Sequence, residues 1–224
     1  HGNLTAAVSI YEVWGKPARE ERGGAIERII CVLPLFHIFA LTVVMLTSLR
    51  HGNLISLHQR FDVEAVMRDI EVKRATYFPG VPTMWIAIAA LPDLDKRDFS
   101  SLRSAGSGGA PLPVEVAAVF ERKVGMKLRS GWGMTETSPA GTAHPDNGPD
   151  KPGAVGVALP GIEMDVVSLD DPTKVVELFD NLSMDPSSVD YVETAINGAS
   201  EFITVDDLGP LFAAGLFGLM IGSF

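Results

Sequence analysis

SLRSAGSGGAPLPVEVAAVFERKVGMKLRS, residues Ser101 to Ser130, is the stretch on which the fold turns. Ser101 to Ala105 reads as a strand, Pro113 to Val124 as a helix and Met126 to Ser130 as a second strand. Glycine-rich turns follow both strands, at Ser107-Gly108-Gly109-Ala110-Pro111 and at Gly131-Trp132-Gly133-Met134-Thr135-Glu136. A strand, a helix and a strand in succession build a parallel pair, and open α/β sheets bind ligands beyond the carboxyl ends of such strands. Both turns fall where a ligand is expected.

The same alternation extends from Glu27 to about Val167. Arg28 to Leu33 reads as a strand, Phe36 to Arg50 as a helix closed by Gly52, and Leu54 to Leu57 as a strand. Asp62 reads as an N-cap, followed by Val63, Val66, Met67 and Ile70 at the spacing of one apolar helical face. Ala75 to Phe78 then reads as a strand, and Pro82 as the start of a helix. The expected fold class is α/β, a mostly parallel sheet flanked by helices, with an irregular α+β tail.

At 224 residues, 46% hydrophobic and 21% charged, the chain has material for a sizeable core. A net charge of −10 argues against nucleic acid as a partner, so any phosphate site must be local. Cys31 is the single cysteine and sits in an apolar run, which excludes an internal disulfide and predicts a reduced, cytoplasmic setting. His1 in place of Met, and an apolar end that stops at Phe224 without a polar flank, lead to the expectation of an excised or truncated piece.

The two turns carry the candidate chemistry. Glycine lets main-chain amides approach a ligand closely, while Trp132 offers an aromatic face, Thr135 a hydroxyl and Glu136 a carboxylate suited to magnesium beside phosphate. On the residues alone, Gly131 to Glu136 is either such a site or a turn after a buried strand with Thr135 capping a helix. His37 by itself reads as a core histidine, Arg60 equally as a solvated arginine, and His51, His58 and His144 as surface residues.

Leu33-Pro34-Leu35-Phe36-His37, Phe78-Pro79-Gly80-Val81-Pro82-Thr83, Ser107 to Pro111 and Gly131 to Glu136, in this order and spacing, closely resemble the AMP-forming acyl-CoA synthetases. The resemblance covers about residues 1–175 and implies part of the N-terminal domain of an adenylate-forming enzyme. It implies that a fatty acid attacks ATP to give an acyl-adenylate, which CoA then intercepts, with Mg2+ as the metal. His37, Thr135 and Glu136 take the catalytic positions by this resemblance, and Glu136 holds the metal. Gly108, Gly109, Ala110, Pro111, Gly131, Trp132, Gly133, Met134 and Thr135 surround the nucleotide. His37, Phe39, Val43, Val81 and Gly108 form the acyl pocket, and Arg60 matches a position that contacts CoA in some relatives. Small Gly108 with apolar Val43 and Val81 favours an aliphatic chain.

The same resemblance marks what the sequence does not contain. The glycine-rich phosphate loop, the ribose-binding aspartate stretch and the C-terminal domain with its catalytic lysine have no counterpart, so the chain alone is expected to be inactive as a ligase. Residues 176–207 form an acidic segment that resembles a piece of a contractile phage tail sheath protein, and equally reads as a linker with one helix and one strand. Residues 208–224 resemble the first membrane helix of a prepilin peptidase, at a length marginal against the roughly 20 residues a bilayer span needs. Membrane contact through 208–224 stays open. The alternative to a ligase fragment is a non-catalytic structural or membrane-anchored fusion in which the tail sets the role.

Overall fold

The computed structural model describes residues 1–145 and 151–164. The expectations for 176–207 and 208–224 lie outside the described residues. Among the described residues, no helix is long and apolar enough to cross a membrane.

The chain opens with helix α1, Gly2–Glu21, which buries Ala7 and Ala18. Gly15 and Pro17 lower helix propensity within one turn, so this helix has only a weak signal in the sequence. Strand β1, Arg28–Cys31, follows. Where one α-helix is expected over Phe36 to Arg50, the chain instead winds as a π-helix over Phe39–Leu46 and tightens into α2, Thr47–His51. The run Thr42-Val43-Val44 is β-branched throughout, and the wider winding relieves the crowding such side chains meet one turn apart. Thr47 Oγ1 donates to the Thr42 carbonyl at 2.8 Å where the winding changes. Gly52 ends α2 in the left-handed region, as expected.

Strand β2, Leu54–Leu57, falls as read. Helix α3, Val63–Glu71, starts on Asp62, whose Oδ1 accepts from Ala65 N at 2.8 Å, and buries Val66, Met67 and Ile70. Strand β3, Tyr77–Gly80, lies two residues later than read and runs through Pro79. A proline lacks a ladder donor, which argues against a central strand. Here β3 pairs β1 only at Tyr77, whereas its register with the next strand includes Pro79. Helix α4, Pro82–Ala89, strand β4, Ser104–Ser107, helix α5, Val114–Val124, and strand β5, Leu128–Ser130, complete the pattern. A small antiparallel pair, β6 at Thr142–Ala143 and β7 at Val157–Ala158, lies beyond it.

All five main strands are parallel, in the order β2-β1-β3-β4-β5. Side chains alternate across the sheet, so its two faces differ. On one face Ile30, Phe78, Ala105 and Leu128 pack against α3, α4 and α5 in the main core. Trp85 there tilts against Phe78 at 4.9 Å between ring centroids and meets Phe120 edge-on at 5.2 Å. On the other face Ile29 and Cys31 pack against Val44 of the π-helix. That second cluster ends at Tyr77, and over β4 and β5 the face is left as a cleft.

Two histidines differ from the sequence reading. His144 is buried, with Nε2 2.9 Å from the Ala154 carbonyl. His58 is nearly buried, its Nε2 2.7 Å from Asp69 Oδ2. Neither polar partner is close in sequence.

Candidate active site

Three strand ends set the floor of the site. Gly108 N donates to the Gly80 carbonyl at 3.1 Å and Gly131 N to the Ser107 carbonyl at 3.0 Å, so β3, β4 and β5 finish in line. The β4 turn passes through Gly109 at a φ of 79°, a conformation that other residues rarely adopt. After β5, Trp132 and Thr142 exchange backbone hydrogen bonds, 2.8 Å from Thr142 N and 3.3 Å from Trp132 N. Thr142 Oγ1 also donates to the Val155 carbonyl at 2.8 Å, tying β5's exit to the small sheet. Gly133 packs so closely that a Cβ there would stand 1.7 Å from the Pro139 carbonyl oxygen.

Thr135–Thr137 form a single 3-10 turn, held by Thr137 Oγ1 accepting from Met134 N at 3.1 Å. Thr137 therefore caps this turn, which leaves the exposed Thr135 and Glu136 side chains for other partners.

A cleft of about 900 Å³ lies above these ends. His37, Phe39, Val43, Gly108, Gly109, Gly131, Trp132, Gly133, Met134, Thr135 and Glu136 all line it. Ala110, Pro111, Val81 and Arg60 do not. Val81 stands behind the β4 turn, its Cγ1 3.6 Å from where a Cβ on Gly109 would be. Arg60 is exposed, in the bend after β2.

His37 opens the π-helix from an exposed position, unlike a core histidine. Its Nδ1 accepts from Phe39 N at 3.2 Å, so the neutral ring carries its proton on Nε2 and offers a donor there. Phe39, Val43 and Thr47, spaced by four, continue that wall. Tyr11 and Trp14 of α1 line the cleft too. Burial, and then the neighbouring Tyr77, push the Tyr11 phenol well above its ordinary range, so it stays a neutral hydrogen-bonding group.

Sequence reasoning missed Thr47, Tyr77, Ser104 and Gly106, which also line the cleft. The signal was present in β4, where Ser104, Gly106 and Gly108 alternate onto one face. Among the described residues no three His, Cys, Asp or Glu side chains gather around a metal position. Glu136 alone fits magnesium, which ordinarily takes one or two carboxylates and fills the rest of its shell with phosphate oxygens and water.

The profile of the family described as AMP-binding enzyme matches residues 1–178. The chain belongs to the AMP-binding enzyme family. Similar AMP-binding enzymes include the long-chain-fatty-acid–CoA ligase of Bacillus subtilis (strain 168), 36% identical over 168 residues, which covers 75% of this chain and 29% of that protein. The 4-coumarate–CoA ligase CCL1 of Humulus lupulus is 40% identical over 149 residues, covering 63% of this chain and 27% of that one. Among solved structures, ATP-bound MatB from Rhodopseudomonas palustris superposes with a TM-score of 0.69 at 28% identity, over 80% of this chain and 33% of MatB. The chain thus spans a third or less of the length of these relatives. The parallel sheet flanked by helices is the expected N-terminal-domain architecture of the family.

Proposed function

We propose that the cleft is the adenine, metal and acyl side of an acyl-adenylate site. In the reaction it serves, a carboxylate oxygen bonds the α-phosphorus of ATP while the α–β bridge breaks and pyrophosphate leaves with the electron pair. CoA, losing its thiol proton, then forms a thioester at the acyl carbon and AMP departs. Trp132 stacks on the adenine, and the Gly108-Gly109 turn, with Ala110 and Pro111 behind it, presents backbone to the base. Thr135 donates to phosphate and Glu136 holds magnesium, which supplies charge neutralisation at the phosphates when bound. His37, through Nε2–H, orients the attacking carboxylate, and Arg60 meets CoA outside the cleft.

The observation that carries this reading is the meeting of three sequence-distant pieces, Gly108-Gly109, Gly131 to Glu136 and His37 to Phe39, on one cleft at the carboxyl ends of parallel strands. Phe39, Val43 and Tyr77 make the acyl end apolar, which supports a fatty acid over a small polar one. With no phosphate loop or C-terminal lysine in the sequence, this chain by itself binds nucleotide without turning over.

Calorimetry with ATP and magnesium tests the binding, with loss expected in Glu136→Ala. Equal heats from both proteins would remove Glu136 from the site. Pyrophosphate release above that of Glu136→Ala would overturn the inactive reading.

A further inference from the structure

The cleft continues far past the place where a carboxylate would react. Ser104, Gly106 and Gly108 present nothing larger than a hydroxymethyl group along β4, and Tyr77 and Phe39 rest on the two glycines. A Cβ on Gly106 would lie 3.5 Å from Tyr77 Oη, and one on Gly108 3.0 Å from Phe39. From Gly108 back to Arg103, five residues of extended strand cover about 16 Å.

The far end is charged. Arg22, Glu27, Thr76, Arg103 and Arg129 line the same cleft. Glu27 Oε1 is shared between Arg22 Nε at 3.2 Å and Arg103 Nη1 at 3.5 Å, while Thr76 Oγ1 donates to Oε2. One carboxylate facing two guanidinium groups leaves an excess positive charge. Arg129, level with Gly106 on β5, stands beside this pair, held by Nη1 on the Pro145 carbonyl at 3.0 Å. In a protein of net charge −10 this basic end is local, and the acidic Glu136 lies past the opposite end of the strands.

We propose that this end binds a second anionic group on the substrate, so that the acid accepted is a long α,ω-dicarboxylate. Its reacting carboxylate sits beside His37, its methylenes follow the Val43 and Thr47 wall past Tyr77, and its distal carboxylate joins Arg22 and Arg103, with Arg129 alongside. Planar guanidinium groups already oriented by Glu27 lose little freedom in taking a second carboxylate. The inference rests on the acyl-site reading above.

The test is calorimetric binding of dodecanedioate against dodecanoate to the full chain. Tighter binding of the diacid is expected, on the order of fivefold at low salt, the scale of one charge-assisted contact at a partly open site. That advantage should vanish at high salt, where monoacid binding persists. Arg103→Met should abolish the preference for the diacid over dodecanoate. Arg22→Met, at the C-cap of α1, gives the same readout if Arg103→Met does not fold. Equal affinity for both acids, or a preference indifferent to salt and to both substitutions, overturns the proposal alone. Binding of neither acid overturns the acyl-site reading along with it.

Discussion

Single atoms decide the shape of the β5 exit. Gly133 cannot be replaced by alanine without pushing the Pro139 carbonyl away, because the added carbon would sit inside its van der Waals radius. Gly133→Ala is expected to cost about 3 kcal/mol, read as a lowered Tm, and to abolish the nucleotide heat. Asp69 is a second case. Burial raises its carboxyl, but hydrogen bonds from Lys73, Ser56 and His58 outweigh that and hold it below 3.8. A depressed carboxyl stabilises the fold above its unfolded value, and the contribution is lost as pH falls through the folded one. Acid titration of Asp69→Asn should therefore lack part of the stability loss seen below about pH 4, with a neutral-pH cost of about 1–2 kcal/mol. None of this was legible beforehand. His58 and Asp69 are ordinary polar residues in the chain, and only the packing of α3 on the end of β2 brings them to 2.7 Å.

Between elements, α1 is held to α2 by a contact with a protonation requirement. Arg19 Nη1 lies 2.5 Å from His51 Nε2, and a guanidinium can only donate, so that nitrogen must accept and the imidazole must be neutral. Burial first, then Arg19, lowers the His51 pKa below 6.5, with Arg50 acting in the same sense and Glu12 opposing. A lowered histidine gives stability that is present above pH 6.5 and lost as pH falls toward the folded value. Hydrogen exchange in α1 should accordingly speed up between pH 7 and 5, and His51→Gln should flatten that dependence. The core behaves more conventionally. Phe120 meets Trp85 and Phe99 edge-on, at 5.2 and 5.7 Å, and Phe120→Ala should cost about 3–5 kcal/mol in denaturant unfolding. Helices α3, α4 and α5 were readable because their caps and apolar spacing are local. The π-helix was not, since its width reflects side chains crowding along one segment against the sheet.

For the molecule as a whole, the alternation of strands and helices was enough to give the parallel sheet and to aim its carboxyl ends at the two glycine turns. The strand limits shifted because pairing, rather than residue preference, fixes where a ladder starts; Thr76 N already bonds the Arg28 carbonyl ahead of β3. The glycine-turn side of the cleft followed from contiguous motifs. Its distal polar groups did not, because the Arg22–Glu27 connection, Thr76 and Arg103 come from three separate places in the chain. We propose that 1–175 is a structural unit in its own right. A chain ending at Val175 should keep the far-UV signature of the α/β fold and the calorimetric response to ATP and magnesium, and loss of either would place the later residues within that unit.

The three tryptophans are distributed so that each face of the sheet has its own optical label. Trp85 is sealed in the helical core at 1% exposure, while Trp14 and Trp132 stand in the cleft wall. An aqueous quencher such as acrylamide should silence the latter two and spare the former. The surviving blue-edge emission then reports folding, and the quenched red edge reports occupancy, from one unlabelled sample.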